Sequence, residues 1–126
     1  MKKYNIKSYC KVNLSLHVLK RLKNGYHSIS SLITFCDLHD LITISANKKL
    51  KDSINFSGKF KRGIDKKSNT VTQILSLLRK KKLLRKEYFK INIKKNVPHG
   101  SGLGGGSSNA ACLLKYLNLK KKIELK

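Results

Sequence analysis

Residues 98–111 read PHGSGLGGGSSNAA, with five glycines between Gly100 and Gly106 in a chain that holds 8 in all. Glycine loses more conformational freedom on folding than any other residue, so a cluster marks a backbone that bends sharply or approaches something closely. A flexible linker would account for the glycines but not for the residues after them. Ser107-Ser108-Asn109 offers helix-capping side chains, and Ala110 to Leu117 is a run dominated by helix formers. A glycine-rich turn opening onto a helix start suits an anion, because first-turn amides lack intrahelical partners and the helix dipole is positive there.

The segments before this stretch predict an α+β fold. Tyr9 to Leu19 alternates with period two, with Cys10, Val12, Leu14, Leu16 and Val18 on one side and Lys11, Asn13, Ser15 and His17 on the other. That is the pattern of a half-buried strand. Asn24-Gly25 is a turn signal. Further strands are expected over Ser28 to Phe35, Leu41 to Ala46 and, more weakly, Asp52 to Phe56. Ser68 or Asn69 can cap a helix whose Val71, Ile74, Leu75 and Leu78 fall at helical spacing, and Tyr88 to Lys95 returns to alternation. The whole of 1–126 reads as one domain with a single core, without repeats or Ser/Pro-rich linkers.

Composition narrows the function classes. Lys and Arg number 29 against 6 Asp and Glu, a formal charge of +23. This invites a nucleic-acid reading, but the lysines are spread along the chain and only RKKKLLRK, residues 79–86, is dense, as at a solvated helix end. Base composition of the genome accounts for the rest, and no specific nucleic-acid partner is expected. Cys10, Cys36 and Cys112 are odd in number and lack CxxC spacing, which fits reduced thiols in a cytoplasmic protein. No stretch is long and apolar enough for a signal peptide or a membrane span. His17, His39, Asp37 and Asp40 show no metal-ligand spacing, so no metal site is assigned and a surface turn is expected around Asp37 and Asp40.

Three familiar phosphate loops do not fit. Gly100, Gly102 and Gly105 satisfy G-x-G-x-x-G, yet the preceding strand alternates with lysines where a dinucleotide fold has a continuous apolar run. No Gly-Lys-Ser/Thr is present after the glycines, which excludes a Walker A loop, and a helix stands where the protein-kinase loop has a strand. The remaining pattern, P-x-G-x-G-L-G-x-x-S-S, resembles the phosphate loop of the GHMP kinases, the superfamily of galactokinase, homoserine kinase and mevalonate kinase. KVNLSLHVL, NGYH and SLITFCDLHDLI, in that order, resemble the opening strand, substrate-facing turn and next strands of one branch of that family.

The resemblance implies the GHMP kinase N-terminal domain, a ribosomal-protein-like two-layer fold. It implies transfer of the γ-phosphate of ATP, with Mg2+, to the 2-hydroxyl of 4-diphosphocytidyl-2-C-methyl-D-erythritol, a step toward isoprenoid precursors. By this likeness Lys11 is the active-site lysine and Asn13 a substrate contact, while Tyr26 and His27 meet the cytidine end. ATP would lie on Pro98, His99, Gly100, Ser101, Gly102, Leu103, Gly104, Gly105, Gly106, Ser107 and Ser108. On pattern alone Lys11 reads as one solvated lysine among many, and Tyr26 and His27 as flanking a hairpin turn; the resemblance reverses both readings. The partners implied are ATP and the cytidyl substrate, with no membrane; the sequence leaves the oligomeric state open. The family's catalytic aspartate segment and C-terminal domain have no counterpart in 1–126, so the domain is expected to be incomplete at its C-terminal side and inactive alone. Apolar positions such as Leu113, Leu114 and Leu117 are then expected to lie uncovered. Another GHMP small-molecule kinase and a basic RNA-binding module are the alternatives.

Overall fold

The structure, a computed structural model, describes residues 3–21, 27–65, 68–84, 86–98, 105–120 and 122, with the backbone alone for residues 12–21, 27–36 and 105. Four strands and two helices are arranged along the chain in the order β1 (Lys3–Arg21), β2 (His27–Ala46), β3 (Ser53–Ser57), α1 (Thr70–Lys80), β4 (Phe89–Lys94) and α2 (Gly105–Leu119). The strands form one sheet of order β1-β2-β4-β3, antiparallel except for the β3–β4 pair.

The β1–β2 ladder departs from expectation. The strand expected from Tyr9 begins at Lys3, and the two expected over Ser28 to Phe35 and Leu41 to Ala46 are one continuous strand. The polar stretch around Asp37 and Asp40, read as a surface turn, lies within that strand, with His39 opposite Tyr9 and Asp40 opposite Ser8. Register shifts at Tyr9/Lys11, Asn13/Ser15 and Val18/Lys20 let so long a ladder stay paired. Asn24 and Gly25, read as a turn, lie outside the described residues.

One face of the sheet carries the core. Ile42, Ile44, Phe89, Ile91 and Ile93 pack against Val71, Leu75 and Leu78 of α1 and Leu113 and Leu117 of α2. Leu113 and Leu117, expected to be uncovered, are therefore buried within this chain, while Leu114 is 38% exposed. The other face is polar. Asn5, Thr43, Asn92 and Asn55 form one cross-strand row, flanked by a row with Lys3 and Lys90 and another with Lys7 and Lys94.

Asn69 caps α1, its side-chain oxygen accepting from the Thr72 amide at 2.9 Å. The helix ends at the basic block, where Arg79 and Lys80 favour the negative end of the dipole. Arg79 is not merely solvated, however. It forms a two-pronged pair with Asp52, at 2.9 Å and 2.8 Å, and lies over the Tyr88 ring. Cys10 is disulfide-bonded, against the expectation of free thiols, and Cys112 is the free cysteine among the described side chains. Cysteine count and spacing carry no information on which residues the sheet register brings together.

Candidate functional site

The start of α2 decides the geometry. Ser107 to Asn109 are the expected caps, but the helix begins at Gly105, so these residues sit inside its first turn. The side chains of Ser108 and Asn109 bond sideways. The buried Ser8 hydroxyl donates to Asn109 Oδ1 at 2.8 Å and lies 3.2 Å from Ser108 Oγ, and Ser108 Oγ donates to the Tyr9 carbonyl at 2.8 Å. The first turn of α2 is thereby fastened to β1.

It is also fastened to the other helix. Thr70 Oγ1, at the start of α1, donates to the Gly106 carbonyl at 2.8 Å. The two helix starts are brought side by side, and neither has an acidic residue in its first turn. Two positive dipole ends favour an anion between them, although Asp65 also lines the space beside them. A cleft of about 340 Å³ opens between them. Phe56, Ile64 and Val71 give it an apolar side, and Asn69, Thr70, Lys95, Gly106 and Asn109 contribute polar groups. Such a mixture accommodates an aromatic ring beside phosphate. A second cleft, of about 370 Å³, is lined by the ion-paired Asp52 and Arg79 together with Ile54, Thr72, Leu75 and Ser76.

Lys11 is half-buried on β1, opposite Phe35, just past the register shift at Tyr9. It stands two residues beyond the carbonyl that receives Ser108, a separation of roughly 6 to 7 Å along a strand. The pairing is regular from Lys11 to Asn13. Asn13 and His27 are placed by backbone only, His27 opening β2 opposite Arg21. Tyr26, His99, Gly100, Ser101, Gly102, Leu103 and Gly104 lie outside the described residues. Pro98 closes the segment leading out of β4, and Gly105, Gly106, Ser107 and Ser108 form the opening of α2.

Sequence reasoning missed Ser8, Thr70 and Lys95 altogether and saw Asn69 only as a cap. Each contributes through a partner distant in the chain, so no local pattern singles it out. Among the described carboxylates, Asp40 pairs with Lys95, Asp52 with Arg79 and Glu87 with Lys122. Among the described residues no group of three His, Cys, Asp or Glu is arranged to hold a metal, and no helix is long and apolar enough to cross a membrane.

A helix start beside a strand lysine, on a mixed sheet with helices on one face, suits the binding of a phosphate group. Residues 69–126 match the family described as GHMP kinases N terminal domain, and the chain has the fold of that domain. Curated relatives that it resembles along its length carry one name, 4-diphosphocytidyl-2-C-methyl-D-erythritol kinase. That of Pelagibacter ubique is 45% identical over 126 residues, which is 100% of this chain and 44% of the relative. That of Acinetobacter baylyi is 37% identical over 115 residues, covering 90% of this chain and 39% of the relative. The chain thus spans less than half the length of these relatives. A crystal structure of 4-(cytidine 5'-diphospho)-2C-methyl-D-erythritol kinase superposes with a TM-score of 0.72 at 28% identity, over 98% of this chain and 42% of that one. Homoserine kinase from Cytophaga hutchinsonii shares the fold, with a TM-score of 0.63 at 16% identity, over 95% of this chain and 36% of that one.

Proposed function

We propose that residues 1–126 form the ATP-binding domain of a kinase that phosphorylates 4-diphosphocytidyl-2-C-methyl-D-erythritol at its 2-hydroxyl. The observation that carries this reading is the junction of both helix starts and β1. Thr70 ties α1 to α2, and Ser8 and Ser108 tie α2 to the strand that holds Lys11. Phosphoryl transfer leaves the protein little covalent chemistry to do; it requires held phosphates, a placed acceptor and stabilised charge.

In this reading residues 98–108 hold the phosphates through backbone amides, and the apolar side of the cleft receives the base. Lys11 stabilises charge on the transferring group or on the attacking oxygen. Asn13 contacts the acceptor, while Tyr26 and His27 meet the cytidine. Mg2+ would enter with the phosphates and would offset part of their charge. Ser107, exposed in the first turn of α2, is the hydroxyl we assign to it. ATP and the cytidyl alcohol are the partners, and the cytoplasm is the location.

Because the chain corresponds to 44% of the Pelagibacter relative, the proposal concerns a protein of that relative's length, in which the family resemblance implies an aspartate that positions the acceptor. The test is calorimetric titration of ATP with Mg2+, then an assay of γ-phosphate transfer to the cytidyl alcohol. ATP binding with transfer to that alcohol is expected. Transfer only to another small alcohol would replace the substrate, and absence of ATP binding by the folded protein would end the reading.

A further inference from the structure

We infer that the cross-strand pair Ser8 and Asp40 is a two-point clamp that positions the glycine-rich phosphate loop from both of its ends. The inference rests on the nucleotide-binding reading. Ser8 and Asp40 face one another in the β1–β2 ladder and are 1% and 0% exposed. Side chains directly opposite on an antiparallel pair stand about 5 Å apart. From that one place, each reaches a different end of residues 98–105.

Ser8 takes the exit, bonding to Ser108 and Asn109 in the first turn of α2. Asp40 takes the entrance. Its Oδ1 accepts from the successive amides of Asn96 and Val97 at 2.7 Å and 2.9 Å, and its Oδ2 receives Lys95 Nζ at 2.5 Å. Two consecutive N–H groups aimed at one oxygen fix the backbone direction between them. The same residues are gripped from the far side, where the Lys95 amide donates to Ser57 O at 2.7 Å and the Phe60 amide donates to Lys95 O at 3.1 Å. Gly58 permits that approach: its φ is +91°, and a Cβ there would stand 2.8 Å from both backbone atoms N and O of Lys95.

A run of glycines has little conformational preference of its own, so its position must come from its ends. Burying a carboxylate costs far more than leaving it in water unless it is paired and hydrogen-bonded. Here the bonds of Asp40 to Lys95, Asn96 and Val97 all go to residues just before the glycines. Asp40 and Ser8 are positioning residues and touch no nucleotide.

The test compares ATP affinity by calorimetry, with amide hydrogen exchange at Asn96 and Val97, in Asp40→Ala and Asp40→Asn. Both leave Lys95 without its carboxylate, so the difference between them reads the two amide bonds, which a carboxamide oxygen still accepts. Asp40→Ala should weaken ATP binding by about tenfold or more and speed exchange at both amides, since an ångström of misplacement is felt strongly at a binding site. Asp40→Asn should recover most of both losses. If Asp40→Ala does not fold, the same comparison is made with Lys95→Met added to each, which removes the unpaired buried ammonium. Ser8→Ala combined with Asp40→Ala should cost little more than the worse single variant, because releasing either end already frees the loop. Equal ATP affinity in folded Ala and Asn variants, or fully additive losses, would overturn the clamp. A wild-type protein that binds no ATP would instead overturn the nucleotide-binding reading, and the clamp with it.

Discussion

The hydroxyl of Thr70 and the carbonyl of Gly106, 36 residues apart in the chain, meet at 2.8 Å and join the first turns of the two helices. A Cβ on Gly106 would stand 3.3 Å from the same hydroxyl oxygen, tighter than an ordinary contact. Glycine is thus favoured there by a close approach, not by backbone conformation. Gly106→Ala should gain up to about 1 kcal/mol of helix propensity and lose part of it to crowding, leaving stability nearly unchanged. Its ATP affinity should fall several-fold, and that of Gly106→Val should be lost, as measured by calorimetry on folded protein. Undiminished affinity in the valine variant would detach the helix junction from nucleotide binding.

How much of the molecule was legible in the sequence depends on the range of the forces involved. The glycine run, the helix after it, the alternation in β1 and β4 and the Asn69 cap are local patterns; the helix, both strands and the cap appear in the fold. Asp40 is not local. Its burial is compensated by Lys95, Asn96 and Val97, and without those partners Asp-Leu-His-Asp reads as a turn. The start of α2 failed for a related reason. Ser108 and Asn109 have the chemistry of caps, yet β1 claims their side chains, and the helix begins at Gly105 instead. The roles read for Tyr26 and residues 99–104 fall outside the described residues.

Lys11 and His27 should separate kinetically in the full-length protein. Lys11, close to the helix junction, is proposed to act on charge that develops during transfer. Lys11→Ala should therefore lower kcat on the order of a hundredfold with a smaller change in KM. His27 opens β2 and pairs with Arg21, far along the ladder from Lys11. His27→Ala should raise KM for the cytidyl substrate and leave kcat nearly intact. Steady-state kinetics with each substrate varied in turn will decide, and identical KM-only effects in both variants would refute the division.

Arg79 offers a control in which stability changes without the site. Its guanidinium joins Asp52 by two bonds, donates to the Glu87 carbonyl at 2.5 Å and covers the Tyr88 ring at 4.6 Å. Asp52 also accepts the Phe89 amide at 3.0 Å, so the pair ties the end of α1 to the start of β4. Arg79→Ala leaves a partly buried carboxylate and should destabilise by about 2 to 3 kcal/mol, at or below the low end of the range for broken buried pairs because both side chains keep some solvent contact. Arg79→Lys should rescue little, since an ammonium reproduces neither the fork nor the stacking. Denaturant unfolding gives the stability, and ATP affinity at low temperature, where the variant remains folded, should match wild type. Lysine restoring full stability would show that charge alone mattered.

The charge of +23 sets up the last test, between a kinase domain and an RNA-binding module. The helix-free face of the sheet presents Lys3, Lys7, Lys90 and Lys94, all exposed, around the row of Asn5, Thr43, Asn92 and Asn55. Those rows hold no aromatic residue on which bases would stack, and the Tyr9 ring in the next row on that face already packs on His39. Four exposed ammonium groups attract phosphate, but attraction of this kind releases counterions and reads no sequence. Binding to RNA should accordingly be sequence-indifferent and fall by orders of magnitude as salt rises from about 50 to 200 mM. Fluorescence anisotropy with several unrelated single-stranded RNAs measures it, and Lys3→Glu with Lys90→Glu should flatten the salt slope. Nanomolar binding of one RNA over the others at physiological salt would favour the RNA-binding reading over the kinase.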